Sequence, residues 1–283
     1  MTVDKQSQKA AGEMRPGQPL LYLRSVAKSF ANGTEALRNV NLMVNQGDFL
    51  SLLGPSGCGK STALRLIAGL STPTSGLIDW RGPAMGKTDI GFVFQEPTLM
   101  PWASVFDNVW LPLRLQGASR ARAAPKVAEM LERVGLTGFE NSVPRELSGG
   151  MKMRVSIARG LVTRPRLLLM DEPFAALDEI TRFQLNHDLL SVWEQERFTV
   201  IFVTHSVFES VFLSNRIVVM AARPGRVYRE LSVEAPYPRD ESFRTSPDYG
   251  ALCRKTSDVL GEAMHAVEDA RGGTDAGNSH GGH

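Results

Sequence analysis

Residues 54–62 read "GPSGCGKST", and Gly54, Gly59, Lys60 and Ser61 satisfy the pattern G-x-x-x-x-G-K-[ST]. The stretch follows a short apolar run, "FLSLLG", and leads into "KSTALRLIAGL", which has helical spacing. Across Gly54, Pro55, Ser56, Gly57, Cys58, Gly59, Lys60, Ser61 and Thr62 the glycines let backbone N–H groups turn inward around a triphosphate. The helix that follows adds its positive N-terminal end. Lys60 is expected to reach the β- and γ-phosphate oxygens and Ser61 to ligate Mg²⁺. By chance such a pattern arises about once in a hundred chains of this length, and the strand before it and helix after it lower that further. Cys58 sits near a helix N-terminus, where a thiolate is stabilised. Thiol reagents are therefore expected to block nucleotide binding, and nucleotide to protect.

Working outward, "DIGFVFQ", "RLLLMDE" and "TVIFVTH" are further short runs rich in β-branched residues or Leu, of the kind found in parallel strands covered on both faces by helices. Each ends in a polar residue, at the strand end where open α/β sheets place their chemistry. Upstream, "LLYLRSVAKSF" and "NVNLMV" alternate apolar and polar residues like antiparallel strands. Residues 98–148 break the rhythm. There, Ser104 is an expected N-cap before Val105, Val109 and Leu113, and Val127, Met130, Leu131 and Val134 share one face ahead of a stop at Gly135. After His205, "SVFESVFLS" reads as a short helix, "RIVVM" as a strand and "RPGR" as a turn. A final helix carries Leu252, Val259, Leu260 and Met264. The fold class is α/β, with a mainly parallel sheet, an N-terminal antiparallel β part and an inserted helical subdomain.

Composition excludes several classes. The chain has 283 residues, and 32 Lys+Arg against 30 Asp+Glu leave a net charge of +2, so no global basic field draws it to nucleic acid. No apolar run approaches the 18 or so residues of a membrane span, and "MTVDKQSQKAAGEMRPGQP" has no signal-peptide core. Two cysteines, Cys58 and Cys253, give no disulfide framework and suit a reducing compartment. Residues 1–19 and 270–283 are Gly-rich or polar and read as disordered. The terminal "HGGH" reads as flexible tail rather than a metal site, because it lacks fixed geometry.

The strand ends supply the remaining chemistry. A buried carboxylate is costly unless it faces a cation, so Asp171 is expected to hold Mg²⁺ through water, leaving Glu172 to polarise an attacking water. Helix capping ahead of Pro173 is the structural alternative. A Gln ending a strand is ordinarily a surface residue and a lone His ordinarily structural. Beside a phosphate loop, Gln95 can ligate the metal or a water, and His205 can hydrogen-bond the γ-phosphate. Both are expected on strands flanking the phosphate loop.

"LSGGM" opens a second helix with phosphate-binding features. Ser148 is a natural N-cap, Gly149 and Gly150 permit close approach of an anion, and Met151, Val155, Ala158 and Leu161 fall on one apolar face. A flexible entry to a core helix would read the same. A monomer that binds its triphosphate at Lys60 has no use for a second nest, whereas two copies packed head-to-tail could each close the other's site.

In this order "GPSGCGKST", "LSGGM", "LLLMDEP", "AALD" and the Thr204–His205 pair resemble the ATPase subunits of ABC transporters, over about residues 20–235. The resemblance implies a homodimer with ATP sandwiched between one subunit's phosphate loop and the other's Ser148–Gly150 signature. It implies that Phe30 stacks on adenine, that Ala175–Asp178 crosses the dimer interface with Asp178 at the nucleotide, and that the segment after Gln95 receives a helix of a membrane partner. Met151, Ala175 and Phe30 depart from the commonest residues of the family, yet none removes a charged or metal-binding group. "FVFQEPTLMPWASVFDNVWLPL" and "AARPGRV" look like the importers of nitrate, sulfonates, taurine and pyrimidine precursors. Expected partners are transmembrane permease subunits and, indirectly, a solute-binding protein, at the cytoplasmic face of the cell membrane. The expected organisation is an ATPase domain at 20–235, with its insert at 98–148, and a helical extension at 236–269. The rivals are an exporter subunit, a soluble ABC-type ATPase of translation or DNA repair, a P-loop kinase or GTPase, and a non-hydrolysing assembly module. The single ATPase domain of this chain disfavours the second, the absence of N-K-x-D the GTPase, and intact Lys60, Asp171, Glu172 and His205 the last.

Overall fold

A computed structural model describes residues 17–82, 85–86 and 88–275, with side chains as far as 266. Most of the 1–19 segment and the terminal "HGGH" lie outside the described residues. In chain order the elements are β1 (Pro19–Ser29), β2 (Glu35–Asn45), β3 (Phe49–Leu53), α1 (Lys60–Ile67), β4 (Ser75–Trp80) and β5 (Ile90–Val93). They continue with α2 (Val105–Leu115), α3 (Arg120–Arg133), α4 (Gly149–Leu161), β6 (Leu167–Asp171), α5 (Glu179–Glu196) and β7 (Thr199–Thr204). The last are α6 (Val207–Leu213), β8 (Arg216–Ala221), β9 (Arg226–Ser232), α7 (Glu241–Arg244) and α8 (Pro247–Asp275). Among the described residues no helix is long and apolar enough to cross a membrane.

Six strands form one sheet in the order β5-β6-β7-β3-β8-β9, parallel except for the antiparallel edge strand β9. Its period-2 geometry sends alternate residues to opposite faces, and both faces are buried. Phe49 and Leu53 of β3, Leu168 and Met170 of β6, and Val200 and Phe202 of β7 enter one core, together with α4, α5 and α6. Their neighbours Leu50, Leu52, Leu167, Leu169, Ile201 and Val203 enter a second core with α1 and the three-stranded antiparallel sheet β2-β1-β4. The central strands are therefore apolar at nearly every position, which is why their sequence runs do not alternate.

The helix caps follow the local chemistry. Ser104 accepts from Asp107 N–H at 3.1 Å at the start of α2, and Gly135, at φ 68°, closes the turn after α3, whose Val127, Met130 and Leu131 are buried. Two helices bury more than the single face their large apolar residues suggest. In α4, Val155, Ala158 and Leu161 are buried but Met151 is half-exposed, and Met153 and Ile157 join the core instead. The helix has core on more than one side, so no single stripe describes it. In α8 the buried line is Tyr249, Cys253, Thr256, Val259 and Ala263, while Met264 is 50% exposed. Smaller side chains let α8 lie close on α6 and β8. It also runs on to Asp275, past residue 269.

Candidate nucleotide site

The phosphate loop is built by close packing on one side and open space on the other. A Cβ on Gly54 would lie 2.7 Å from Met220 O, and one on Gly59, at φ 88°, 2.5 Å from Leu37 Cδ2. Glycine is required at both, so the loop sits flush on β2 and β8. Gly57, at φ 78°, faces open space. There the loop bounds a cavity of about 610 Å³, with Ser56, Gly57, Gly59, Lys60, Ser61, Thr62 and Glu172 on its walls. Thr34, Glu35 and Ala36, from the hairpin that follows Phe30, complete it with Arg223 and Pro224. Phe30 itself is 45% exposed and closes the hairpin, its N–H donating to Thr34 O at 2.9 Å.

Lys60 is buried at the cavity floor. Its ammonium donates to Gly54 O at 2.8 Å and Pro55 O at 3.1 Å and lies 3.6 Å from Glu172 Oε1. The carboxylate of Glu172 bridges onward, with Oε2 3.4 Å from His205 Nδ1. Glu172 holds φ 47°, a left-handed conformation that a non-glycine residue adopts only under constraint from its surroundings, and its N–H is tied to Val203 O. Ser61 Oγ donates to Asp171 Oδ1 at 2.7 Å. Asp171 is buried, and burial pushes its carboxyl above the usual range despite that hydrogen bond. A buried oxyanion beside a hydroxyl, at the edge of a phosphate cradle, is the donor set a hard divalent cation takes.

His205 directly follows β7, the immediate neighbour of β3, but Gln95 does not follow a flanking strand. Its strand, β5, is the far edge of the sheet, separated from β3 by β6 and β7. Gln95 is exposed beyond the carboxyl end of β5, whose Val93 pairs with Met170, one residue before Asp171. It therefore stands at the carboxyl edge beside the carboxylates, with two strands between its own and the strand that carries the phosphate loop. Sheet order depends on how the crossovers pack, which no local pattern encodes.

The thiol reading is overturned. Cys58 is fully buried, and desolvation raises its thiol above its ordinary value, outweighing the nearby Lys60. The side chain turns into the core under Gly54 and takes no part in the cavity wall.

The signature lies outside this cavity. Ser148 caps α4 by accepting from Met151 N–H at 3.2 Å, and Ser148 and Gly149 are exposed. Gly150 is buried for packing, since a Cβ there would meet Thr181 Cγ2 at 2.6 Å. Asp178 caps α5 by accepting from Thr181 N–H at 2.9 Å, so the signature and the Ala175–Asp178 loop meet at Thr181. That hydrogen bond keeps the exposed Asp178 carboxyl below its usual value.

Sequence reasoning missed the turn at 223–225. Read as a plain Pro-Gly turn, it supplies Arg223 and Pro224 to the cavity, while Gly225 bonds Ala36 O and Arg38 N–H and packs on Cys58 O. The only sequence signal is the turn itself. A second cavity of about 600 Å³ lies along the C-terminal segment and shares no residue with the motifs.

The ABC transporter family model matches residues 37–175. An uncharacterized ABC transporter ATP-binding protein of Methanocaldococcus jannaschii is 47% identical over 245 residues, covering 85% of this chain and 91% of that protein. An aliphatic sulfonates import ATP-binding protein of Bacillus cereus is 45% identical over 230 residues, 78% of this chain and 90% of that one. Among solved structures, the dimeric post-hydrolysis state of an ATP-binding cassette bound to ADP and Pi is 34% identical, with a TM-score of 0.65 over 77% of this chain and all of that one. This chain belongs to the ABC transporter family, as one of its ATP-binding, ATP-hydrolysing subunits.

Proposed function

We propose that the chain is the ATPase subunit of a membrane importer for a sulfonate, taurine, nitrate or related small solute, and that it acts as a homodimer. The observation that carries the dimer is the position of the signature: Ser148 and Gly149 are exposed and stand off the cavity that holds Lys60 of the same chain. An anion-binding helix start aimed away from its own nucleotide has a role when a second copy brings its cavity to it. The sulfonate importer of Bacillus cereus supports the substrate class, and the dimeric cassette the assembly. Residues 20–235 form the ATPase domain in this reading, 98–148 its insert and 236–269 an extension.

In the working site Lys60 exchanges its two loop carbonyls for phosphate oxygens, a substitution that leaves no buried donor unpaired. Phe30 stacks on adenine. Ser61 and Asp171, with Gln95 at the same sheet edge, would hold Mg²⁺, which when bound would neutralise phosphate charge. Glu172, held between Lys60 and His205, accepts a proton from the attacking water, and His205 donates to the γ-phosphate. Fixed donors aimed at charge that grows in the transition state supply most of the acceleration. Binding closes the dimer, with Asp178 at the crossing loop, and hydrolysis reopens it. The partners are transmembrane permease subunits, reached through the segment after Gln95, and indirectly a solute-binding protein, which places the chain at the cytoplasmic face of the membrane.

A mild-detergent pull-down of the tagged chain from native membranes tests the coupling. Recovery of a multi-span membrane protein in equal amount supports it. Recovery of soluble partners alone, with the chain absent from the membrane fraction, overturns the importer and leaves the ATPase. Glu172→Gln is expected to bind ATP and accumulate as a dimer, and turnover at the native rate would contradict its role.

A further inference from the structure

Arg239 is 2% exposed, yet no carboxylate lies within ion-pair distance of it among the described residues. A guanidinium buried without a counter-ion is costly unless its donors are met by well-placed acceptors. Here Nη1 donates to Val211 O at 2.9 Å, Phe212 O at 3.0 Å and Ser214 O at 2.9 Å, and Nη2 donates to Ala235 O at 2.9 Å, while Nε alone of the group is buried without a hydrogen-bond partner. Val211 O and Phe212 O are closing carbonyls of α6, which have no donor within the helix and carry its negative dipole end, and Ser214 O belongs to the extended residue that caps it. Arg239, from a segment more than twenty residues downstream, thus caps the C-terminus of α6.

The same segment holds the rest of that short helix. Tyr237 OH donates to Leu213 O at 3.0 Å, and Tyr249 OH donates to Phe208 O, at the opposite end of α6, at 3.0 Å. The guanidinium of Arg244 stacks 4.1 Å from the Phe212 ring. Seven residues are therefore gripped at both ends and on one side. Two residues before the first of them stands His205, whose Nδ1 faces Glu172, and Ser206 N–H ties the junction to Thr204 Oγ1 at 3.0 Å. None of Arg239, Tyr237 and Tyr249 lines the nucleotide cavity.

We propose that the C-terminal segment braces α6 so that His205 and Glu172 are held in register for hydrolysis, with Arg239 as its principal positioning residue. The proposal rests on the roles given above to those two residues. It assigns to the extension an effect on turnover that is separable from nucleotide binding, because none of its gripping side chains lines the cavity, even though Ser214, whose carbonyl Arg239 caps, is hydrogen-bonded to Ser51 of β3.

The test uses the full chain, with ATP affinity and steady-state kcat measured separately. Arg239→Met is expected to lower kcat about tenfold or more, the usual penalty for misplacing a catalytic group, with ATP affinity within about twofold of native. Arg239→Lys should restore part of the loss, and Tyr237→Phe with Tyr249→Phe should lower kcat several-fold. In a His205→Ala background Arg239→Met should add little, since both act through the same group. Native kcat in folded Arg239→Met, a loss confined to ATP affinity, or full additivity with His205→Ala would each overturn the brace. Should Arg239→Met fail to fold, the paired Tyr→Phe variant decides, and native turnover there overturns it equally. Lys60→Ala and Glu172→Gln run alongside: native activity in either would sink the reading of the site itself, a result distinct from failure of the brace.

Discussion

Replacing Gly225 with Ala tests whether the turn after β8 belongs to the scaffold of the phosphate loop. An added Cβ would lie 2.2 Å from Cys58 O and 2.7 Å from Ala36 O. Both atoms are backbone, so neither can swing aside as a side chain would. Either the turn lifts, breaking the bonds from Gly225 N–H to Ala36 O and from Arg38 N–H to Gly225 O, or the phosphate loop shifts away from β2. Overpacking of well-packed sites costs about 1–3 kcal/mol, and contact with two carbonyls places this one near the top, at about 3 kcal/mol. For a chain of this size that corresponds to a melting point lower by roughly 5 °C. ATP affinity should fall too, since Cys58 and Gly59 move with the cradle. Gly69→Ala is the control: at φ 70° it carries backbone strain of about 1–2 kcal/mol, but its Cβ meets nothing within 4 Å and it lies past the end of α1. Thermal melting and equilibrium binding of a fluorescent ATP analogue read the two effects. Gly225→Ala that melts with the native chain and binds nucleotide equally well would refute the reasoning.

Cys58 should resist alkylation at neutral pH in the folded chain and react once denaturant exposes it, because it is buried and its thiol is raised; rapid modification of the native state, followed by mass spectrometry, would contradict this. Arg223, on the cavity wall, should contribute to nucleotide binding: Arg223→Ala is expected to weaken ATP several-fold without changing the melting point, and an unchanged affinity would remove it from the site. Glu209 is buried, and desolvation lifts its carboxyl above the usual Glu range in spite of Thr204 and Arg182. A group whose folded value is raised favours the fold below its unfolded value and loses that contribution as pH rises through the folded one. Glu209→Gln should therefore melt progressively higher relative to the native chain as pH rises from acid to neutral, and a difference that shrinks over that range would reverse the sign.

The chemistry of the site was legible because it is carried by contiguous residues. "GPSGCGKST" specifies a loop whose glycines, lysine and hydroxyl act within one turn of chain, and the strand-end carboxylates follow directly on a buried run. Elements without a local period were not legible. The apolar residues of α5 are scattered around the helix, because Leu185, Leu189 and Trp193 point into the core while Ile180 and Phe183 do not. Strands β4 and β9 mix polar and apolar residues because both are edge strands.

The sequence alone determined that a phosphate cradle stands between a buried strand and a helix, that Asp171, Glu172 and His205 end strands, and that Ser148 starts a second helix fit for an anion. Each of these is a property of a few neighbouring residues. Tertiary structure decided which strand neighbours which, and so placed Gln95 at the far edge and His205 beside Glu172. It decided that Gly150 is small for Thr181, that Gly225 is small for the phosphate loop, that Cys58 faces inward, and that Arg239 closes α6. Those are contacts between residues far apart in the chain, and they exist because two cores on opposite faces of one sheet bring the segments together, which no single stretch of sequence records.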